Sequence, residues 1–136
     1  MGEVVGGGTA GTCKKCRSGL NPLQNDILCN KGTEAPFSGE LLHNKRNGTY
    51  SCACCGNVLF SSDDKFDSGS GWPSFTRPIK PDRVKERTDR GLLSDRVEIV
   101  CAKCGSHHGH VFDDGPAPTG RRYCMNSAVL AFKEKK

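Results

Sequence analysis

The chain has 136 residues, 35% of them hydrophobic, and a formal net charge of +5. That length suits one domain with a modest core, and a mean hydropathy of −0.55 with no long apolar run excludes a bilayer-spanning helix. The basic residues are dispersed among acidic ones, at Lys45 and Arg46, Lys80 to Arg90, Arg121 and Arg122, and Lys133 to Lys136. They carry no interleaved aromatics, so they describe a solvated mixed surface, not a nucleic-acid face.

The first residues hold no apolar stretch of signal-peptide type, Glu3 argues against a transit peptide, and Gly6 breaks the myristoylation pattern. The expectation is a soluble protein of the reducing cytoplasm. There the nine cysteines serve as metal ligands or reactive thiols, not as a disulfide framework, and the odd count leaves one over.

In chain order, residues 1 to 19 are glycine-rich, carry Cys13 and Cys16, and read as a mobile arm ahead of one domain over 20–136. A short helix follows: Asn21 is an N-cap, Pro22 a first-turn residue, Ile27 and Leu28 the apolar face, and Gly32 the stop. It carries Cys29. From residue 49 the signals are of strands: Thr49 to Ser51, Val58 to Phe60, the alternating Arg96 to Val100, His110 to Phe112, and Ser127 to Phe132. Residues 80 to 95 are too charged and irregular to assign. The fold class is mainly β, an antiparallel domain behind a short helical segment.

Four cysteines form two Cys-x-x-Cys knuckles, Cys52 with Cys55 and Cys101 with Cys104. Two knuckles complete a tetrahedral zinc shell, and four sulfur ligands leave the ion no open position, so such a zinc is structural. The competing reading is two redox dithiols, but neither pair opens a βαβ pattern. Cys54 interrupts the first knuckle and can compete as a ligand. Cys124 stands apart from the knuckles and is a candidate nucleophile.

Two further segments matter: Ser68-Gly-Ser-Gly-Trp72-Pro-Ser-Phe75 and Gly105-Ser-His107-His108-Gly-His110-Val-Phe112-Asp-Asp-Gly-Pro116. With Gly-Arg-Arg122-Tyr-Cys124-Met-Asn126-Ser-Ala, the knuckles, Lys31-Gly-Thr-Glu34 and Pro36-Phe-Ser-Gly39, they resemble the methionine-R-sulfoxide reductase family, B type, in one register from about Leu20 to Phe132. The resemblance implies two antiparallel sheets with short N-terminal helices, a structural zinc far from the chemistry, and a shallow pocket for oxidised methionine.

On that resemblance, Cys124 attacks the sulfoxide sulfur as a thiolate, its pKa lowered by Arg122, His107 and His110. His107 or His110 protonates the departing oxygen and Asn126 donates to it or orients it. Trp72 walls the S-methyl group and Phe112 completes the pocket. Each residue has a plainer reading: Trp72 as core, the histidines as a polar turn, Cys124 as an inert buried thiol, and Arg122 as surface charge. His108 is expected to face outward.

Attack leaves a sulfenic acid that a second thiol must resolve. Many family members have that cysteine between the glycines before Trp-Pro, where this chain has Ser70. Cys29 is the first candidate for the role, then Cys13 and Cys16 on the arm, and last an external reductant. Thioredoxin is the implied electron donor, oxidised proteins or peptides are the substrates, and the enzyme is expected to act as a monomer. The rival classes are a zinc-ribbon module that binds nucleic acid and a metal-held scaffold.

Overall fold

The computed structural model describes residues 16, 19–90 and 95–135. Helix α1 spans Pro22–Asn30. Nine strands follow: β1 Gly48–Cys52, β2 Val58–Ser61, β3 Lys65–Phe66, β4 Ser74–Phe75, β5 Val84–Arg90, β6 Asp95–Cys101, β7 His107–Phe112, β8 Arg122–Met125 and β9 Leu130–Glu134. They form two antiparallel sheets, a three-stranded one in the order β2-β1-β9 and a six-stranded one in the order β3-β4-β8-β7-β6-β5. The mainly β, two-sheet expectation holds, with one α-helix among the described residues.

Aromatic side chains join the sheets. Phe60 of β2 stacks on Phe75 of β4 at 4.4 Å between ring centroids, and Tyr50 of β1 meets the same ring edge-on at 5.1 Å. Tyr123 of β8 lies 6.0 Å from Phe60. Side chains alternate across a strand, so one face of the larger sheet sends Phe75, Tyr123, Met125, Val111 and Ile99 into this core. The opposite face carries Ser74, Cys124, His110 and Glu98, which lie directly across from one another on β4, β8, β7 and β6.

The helix begins as its sequence predicts. Asn21 and Gln24 form a reciprocal capping box, with Pro22 in the first turn. Its end differs from expectation: the left-handed residue is Lys31, with φ 59°, and not a glycine. That conformation costs a residue with a Cβ about 1 kcal/mol. Gly32 follows it, and the Asp26 carboxylate fills the space where a Cβ would stand.

One other reading is corrected, and two segments without an assigned element prove to be strands. Residues 84–90 are a regular strand paired with β6 over seven positions, and Val84 is its buried apolar residue. It is an edge strand on which Lys85, Glu86 and Arg87 are exposed while Asp89 turns to His110, so hydrophobic alternation is absent. Ser127–Val129 is a 3₁₀ turn ahead of β9, not strand. The segment holding Cys124 is β8, whose Arg-Tyr-Cys-Met sequence hides its alternation.

The disulfide-free expectation is also corrected, since Cys16 is bonded to Cys54 and Cys29 is disulfide-bonded as well. Cys54 is fully buried in the core beneath the first knuckle, and Cys16 packs against that core. Neither competes for a metal in this state. Of the expected mobile arm, residues 1–15 and 17–18 lie outside the described residues, Cys13 among them.

At Gly109 the backbone of β8 leaves no room for a side chain: a Cβ would stand 2.0 Å from the carbonyl oxygen of Cys124. Gly109→Ala should therefore pry the pair apart and cost about 2 kcal/mol or more of stability. Urea denaturation checks this; an unchanged midpoint would contradict the packing described.

Candidate active site and sulfur cluster

Cys124 is half-buried in the middle of the six-stranded sheet. Its Sγ lies 3.8 Å from the Ser70 hydroxyl. Ser70 starts a chain of hydroxyls, 2.8 Å to Ser68, then 2.7 Å to Ser74, which donates to the Trp72 carbonyl at 3.1 Å. The loop is held over β4 by Gly71, whose carbonyl accepts from Phe37 N–H at 2.7 Å and whose φ of 98° suits glycine. Ser70 thus stands where a second cysteine would reach Cys124, and its hydroxyl cannot form a disulfide.

The expected acidity of Cys124 is corrected. Burial pushes the thiol above its ordinary value, outweighing the hydrogen bond from Ser70 and the field of Arg122 that pull it down. Arg122 is committed elsewhere: its guanidinium makes two bonds to Asp114, at 2.8 and 3.1 Å, and lies 4.4 Å over the Phe112 ring. It remains charged, its pKa raised by Asp114.

Both histidines on the site face have carboxylate partners that sequence reasoning missed. His107 Nδ1 lies 2.8 Å from Glu98, and His110 Nε2 lies 2.8 Å from Asp89. The rings are 5.3 Å apart, and a bulge at Ile99/Val100 turns His107 toward His110. Glu98 and His107 are nearly inaccessible, at 3% and 2% exposure. Burial lowers the pKa of each histidine, despite the carboxylates, so both rings are neutral at pH 7. Glu98 accepts the Nδ1–H of His107; its Nε2 is buried with no hydrogen-bond partner among the described residues. In sequence Glu98 falls on the polar face of the alternating strand Arg96 to Val100, so nothing there marked it as buried.

Trp72 is half-buried, and its indole N–H donates to the Glu34 carbonyl at 3.1 Å. Glu34, itself 3% exposed, is a second residue that sequence reasoning did not single out. Its carboxylate accepts from the backbone N–H groups of Ser127 and Ala128 at 2.9 and 2.8 Å, and its own N–H donates to Asn126 Oδ1 at 3.0 Å. Asn126 in turn donates to the His108 carbonyl at 3.0 Å. The amide of Asn126 therefore holds backbone on two sides, leaving it one N–H to offer elsewhere.

His108 does not face outward. It is fully buried, its Nε2 3.1 Å from Cys52 Sγ, and burial pushes its pKa down to about 4. One face of β7 therefore touches the sulfur cluster, and the other the site.

That cluster comprises Cys52, Cys55, Cys101 and Cys104, whose sulfurs all lie within 4.8 Å of one another. The distances of 3.8 Å for Cys52 to Cys104 and 3.6 Å for Cys55 to Cys101 match the edge of a tetrahedron with 2.3 Å metal–sulfur bonds, about 3.8 Å. Asn57 donates to Cys101 Sγ at 3.5 Å, the kind of outer contact that orients a ligand. The residues fit a metal ion. The cluster draws one knuckle from each sheet, since Cys52 ends β1 and Cys101 ends β6.

Because burial governs the Cys124 thiol, its alkylation by iodoacetamide should stay slow at neutral pH and rise through a midpoint above the ordinary thiol value of about 8.5. Ser70→Ala and Arg122→Met should each move that midpoint higher. A midpoint below 8 in the native protein would refute the burial argument.

The SelR domain family matches residues 20–134. The peptide methionine sulfoxide reductase MsrB of Methanosarcina barkeri is 59% identical over 114 residues, 84% of this chain and 80% of that protein. Proteins of the same description from Methanosarcina mazei, at 56% over 88% of this chain and 85% of theirs, and Bradyrhizobium diazoefficiens, at 57% over 88% and 86%, are similar in extent.

Proposed function

Because the chain belongs to the peptide methionine sulfoxide reductase MsrB family, with its SelR domain, we propose that it reduces the R epimer of methionine sulfoxide in oxidised proteins and peptides, with Cys124 as nucleophile. The observation that carries this reading is the row Ser74, Cys124, His110 and Glu98 across four strands, with His107 Nε2 unpartnered beside it.

The proton balance suits the site. Cys–SH plus a sulfoxide gives Cys–SOH plus a thioether, so one proton is enough, and it begins on the sulfur. The raised thiol and the lowered histidines describe a neutral pair carrying that one proton. An imidazole takes it as the thiolate attacks sulfur and gives it to the sulfoxide oxygen; the S–O bond then breaks, the OH so released bonds to the Cys124 sulfur, and the transient S–S bond breaks to free the thioether, with its electron pair, and leave the sulfenic acid. His107 is the better placed of the two, since Glu98 fixes its tautomer and leaves Nε2 to face the oxygen. Asn126 acts chiefly by holding Glu34 and β7 in register, and its remaining N–H orients the oxygen. Trp72 and Phe112 wall the S-methyl group, and Arg122 fixes the Phe112 side of the pocket.

Four thiolates at these spacings suit zinc, held by Cys52, Cys55, Cys101 and Cys104. Such an ion supplies folding energy by tying the two sheets, and no chemical step passes through it. For regeneration we propose a dithiol reductant, thioredoxin, in the cytoplasm, acting on a monomer. It first opens the Cys29 disulfide. The Cys29 thiol then attacks the Cys124 sulfenic acid, water leaves, and a second dithiol reduces the resulting bond. Cys16, bonded to Cys54, and Cys13 follow Cys29 as candidates.

Turnover of separated R and S epimers of a peptide methionine sulfoxide, with dithiothreitol, tests the reaction. R alone should be reduced, and Cys124→Ser should lose on the order of a thousandfold or more; equal turnover of both epimers would sink the stereochemical assignment. The kcat/KM profile should be flat between about pH 6.5 and 8.5, because the imidazoles protonate only below that window and the thiol ionises only above it. Cys29→Ser should slow the thioredoxin-driven cycle and spare the dithiothreitol-driven one. Cys104→Ser should release the metal and lower the melting temperature, read by metal analysis and calorimetry.

A further inference from the structure

Lys31 occupies a backbone conformation that favours glycine, directly after a helix whose other features follow local rules. Its side chain accounts for the exception. The Lys31 ammonium lies 3.1 Å from Asp89 Oδ1 and 3.5 Å from Glu98 Oε1. Each of those carboxylates uses its other oxygen, Asp89 Oδ2 and Glu98 Oε2, to hold a histidine on the site face, His110 and His107. A single cation thus spans two carboxylate–histidine pairs on three different strands.

We propose that Lys31 is a positioning residue for the proton-transferring histidines, clamping Asp89 and Glu98 at once so that each presents its second oxygen to a ring nitrogen. The assignment rests on the reductase reading above. It goes beyond it in giving a residue at the end of α1, outside the pocket, control over when the imidazoles are neutral.

The charges around the pair allow the sign to be worked out. His107 faces Glu98 from β6, His110 from β7 and Lys31 from the end of α1. His110 faces Asp89 from β5, Arg96 and Glu98 from β6, and Cys124 across the β7–β8 ladder. Of the cations, Arg96 contacts Asp89 Oδ2, the oxygen His110 also uses, at 3.4 Å. Lys31 contacts both carboxylates. Asp89 is held down at about 2 by His110 and then by Lys31, and Lys31 opposes protonation of His107. Removing it makes imidazolium easier to form, so the histidine midpoint moves up and the acid limb of activity moves with it.

The test uses the metal-loaded protein and follows the His107 ring resonances through a pH titration. Lys31→Gly suits the left-handed backbone, so it removes the charge without adding strain. The His107 midpoint should rise by roughly 0.5 to 1 on the pH scale, the cation being partly exposed and screened. The acid limb of kcat/KM should rise equally, with no loss of melting temperature. Lys31→Arg should restore both, because it keeps the charge. A midpoint unmoved by Lys31→Gly, or moved as far by Lys31→Arg, would overturn the assignment. The titration does not depend on turnover: a wild-type protein inactive on sulfoxide would sink the reductase reading, and an active one with an unmoved midpoint sinks only the role of Lys31.

Discussion

The register of the six-stranded sheet is the constraint on which the site depends. With a side-chain period of two, Ser74, Cys124, His110 and Glu98 share one face only because β4, β8, β7 and β6 pair as they do. Slipping any one strand by a residue would send Tyr123 or Val111 outward and Cys124 or His110 into the aromatic core. The same pairing that seals Phe75 and Tyr123 against Phe60 therefore aims the chemistry at the opposite surface. At Gly109, the lack of a side chain lets β7 and β8 close to the needed distance.

A domain with a small core has to secure that register from outside it. The four-cysteine cluster joins the ends of β1 and β6, one strand from each sheet, and His108 connects it to β7. A buried Glu34 performs a similar service at the other end, fastening the turn after β8 through two backbone N–H groups, Asn126 through its own N–H and Trp72 through its carbonyl. A carboxylate taken out of water this far is costly unless each oxygen is bonded, and here each oxygen accepts one hydrogen bond. Truncating such a residue would disturb both Trp72 and the end of the strand that bears Cys124.

Burial also sets the protonation of the site. It raises the Cys124 thiol and lowers both imidazoles, and in each case it outweighs the neighbouring charges. The resting site is then uncharged at the reacting atoms, surrounded by fixed ions at Arg122–Asp114 and Lys31–Asp89. Of those ions, Lys31 lowers the His107 pKa in the same direction as the larger effect of burial, and Arg122 lowers that of Cys124 against it.

The sequence alone determined what depends on short-range spacing: the capped helix, the two knuckles, the odd cysteine and the strands whose apolar residues alternate. Motif resemblance added Cys124 as a candidate nucleophile, the paired histidines and the tryptophan, all of which lie on or beside the six-stranded sheet. Tertiary structure alone decided the rest. Edge strand β5 and the Cys124 strand β8 carry charged or mixed side chains on faces that local periodicity cannot sort. His108 is buried because Cys52, far away in sequence, lies against it. Cys16 meets Cys54, and Glu98 and Asp89 meet the histidines, only through strand pairing. The acidity of Cys124 depends on how much water the fold removes from around it. Residue types name the groups capable of chemistry; distances between strands far apart in sequence decide which groups touch, and burial decides which of them carries the proton.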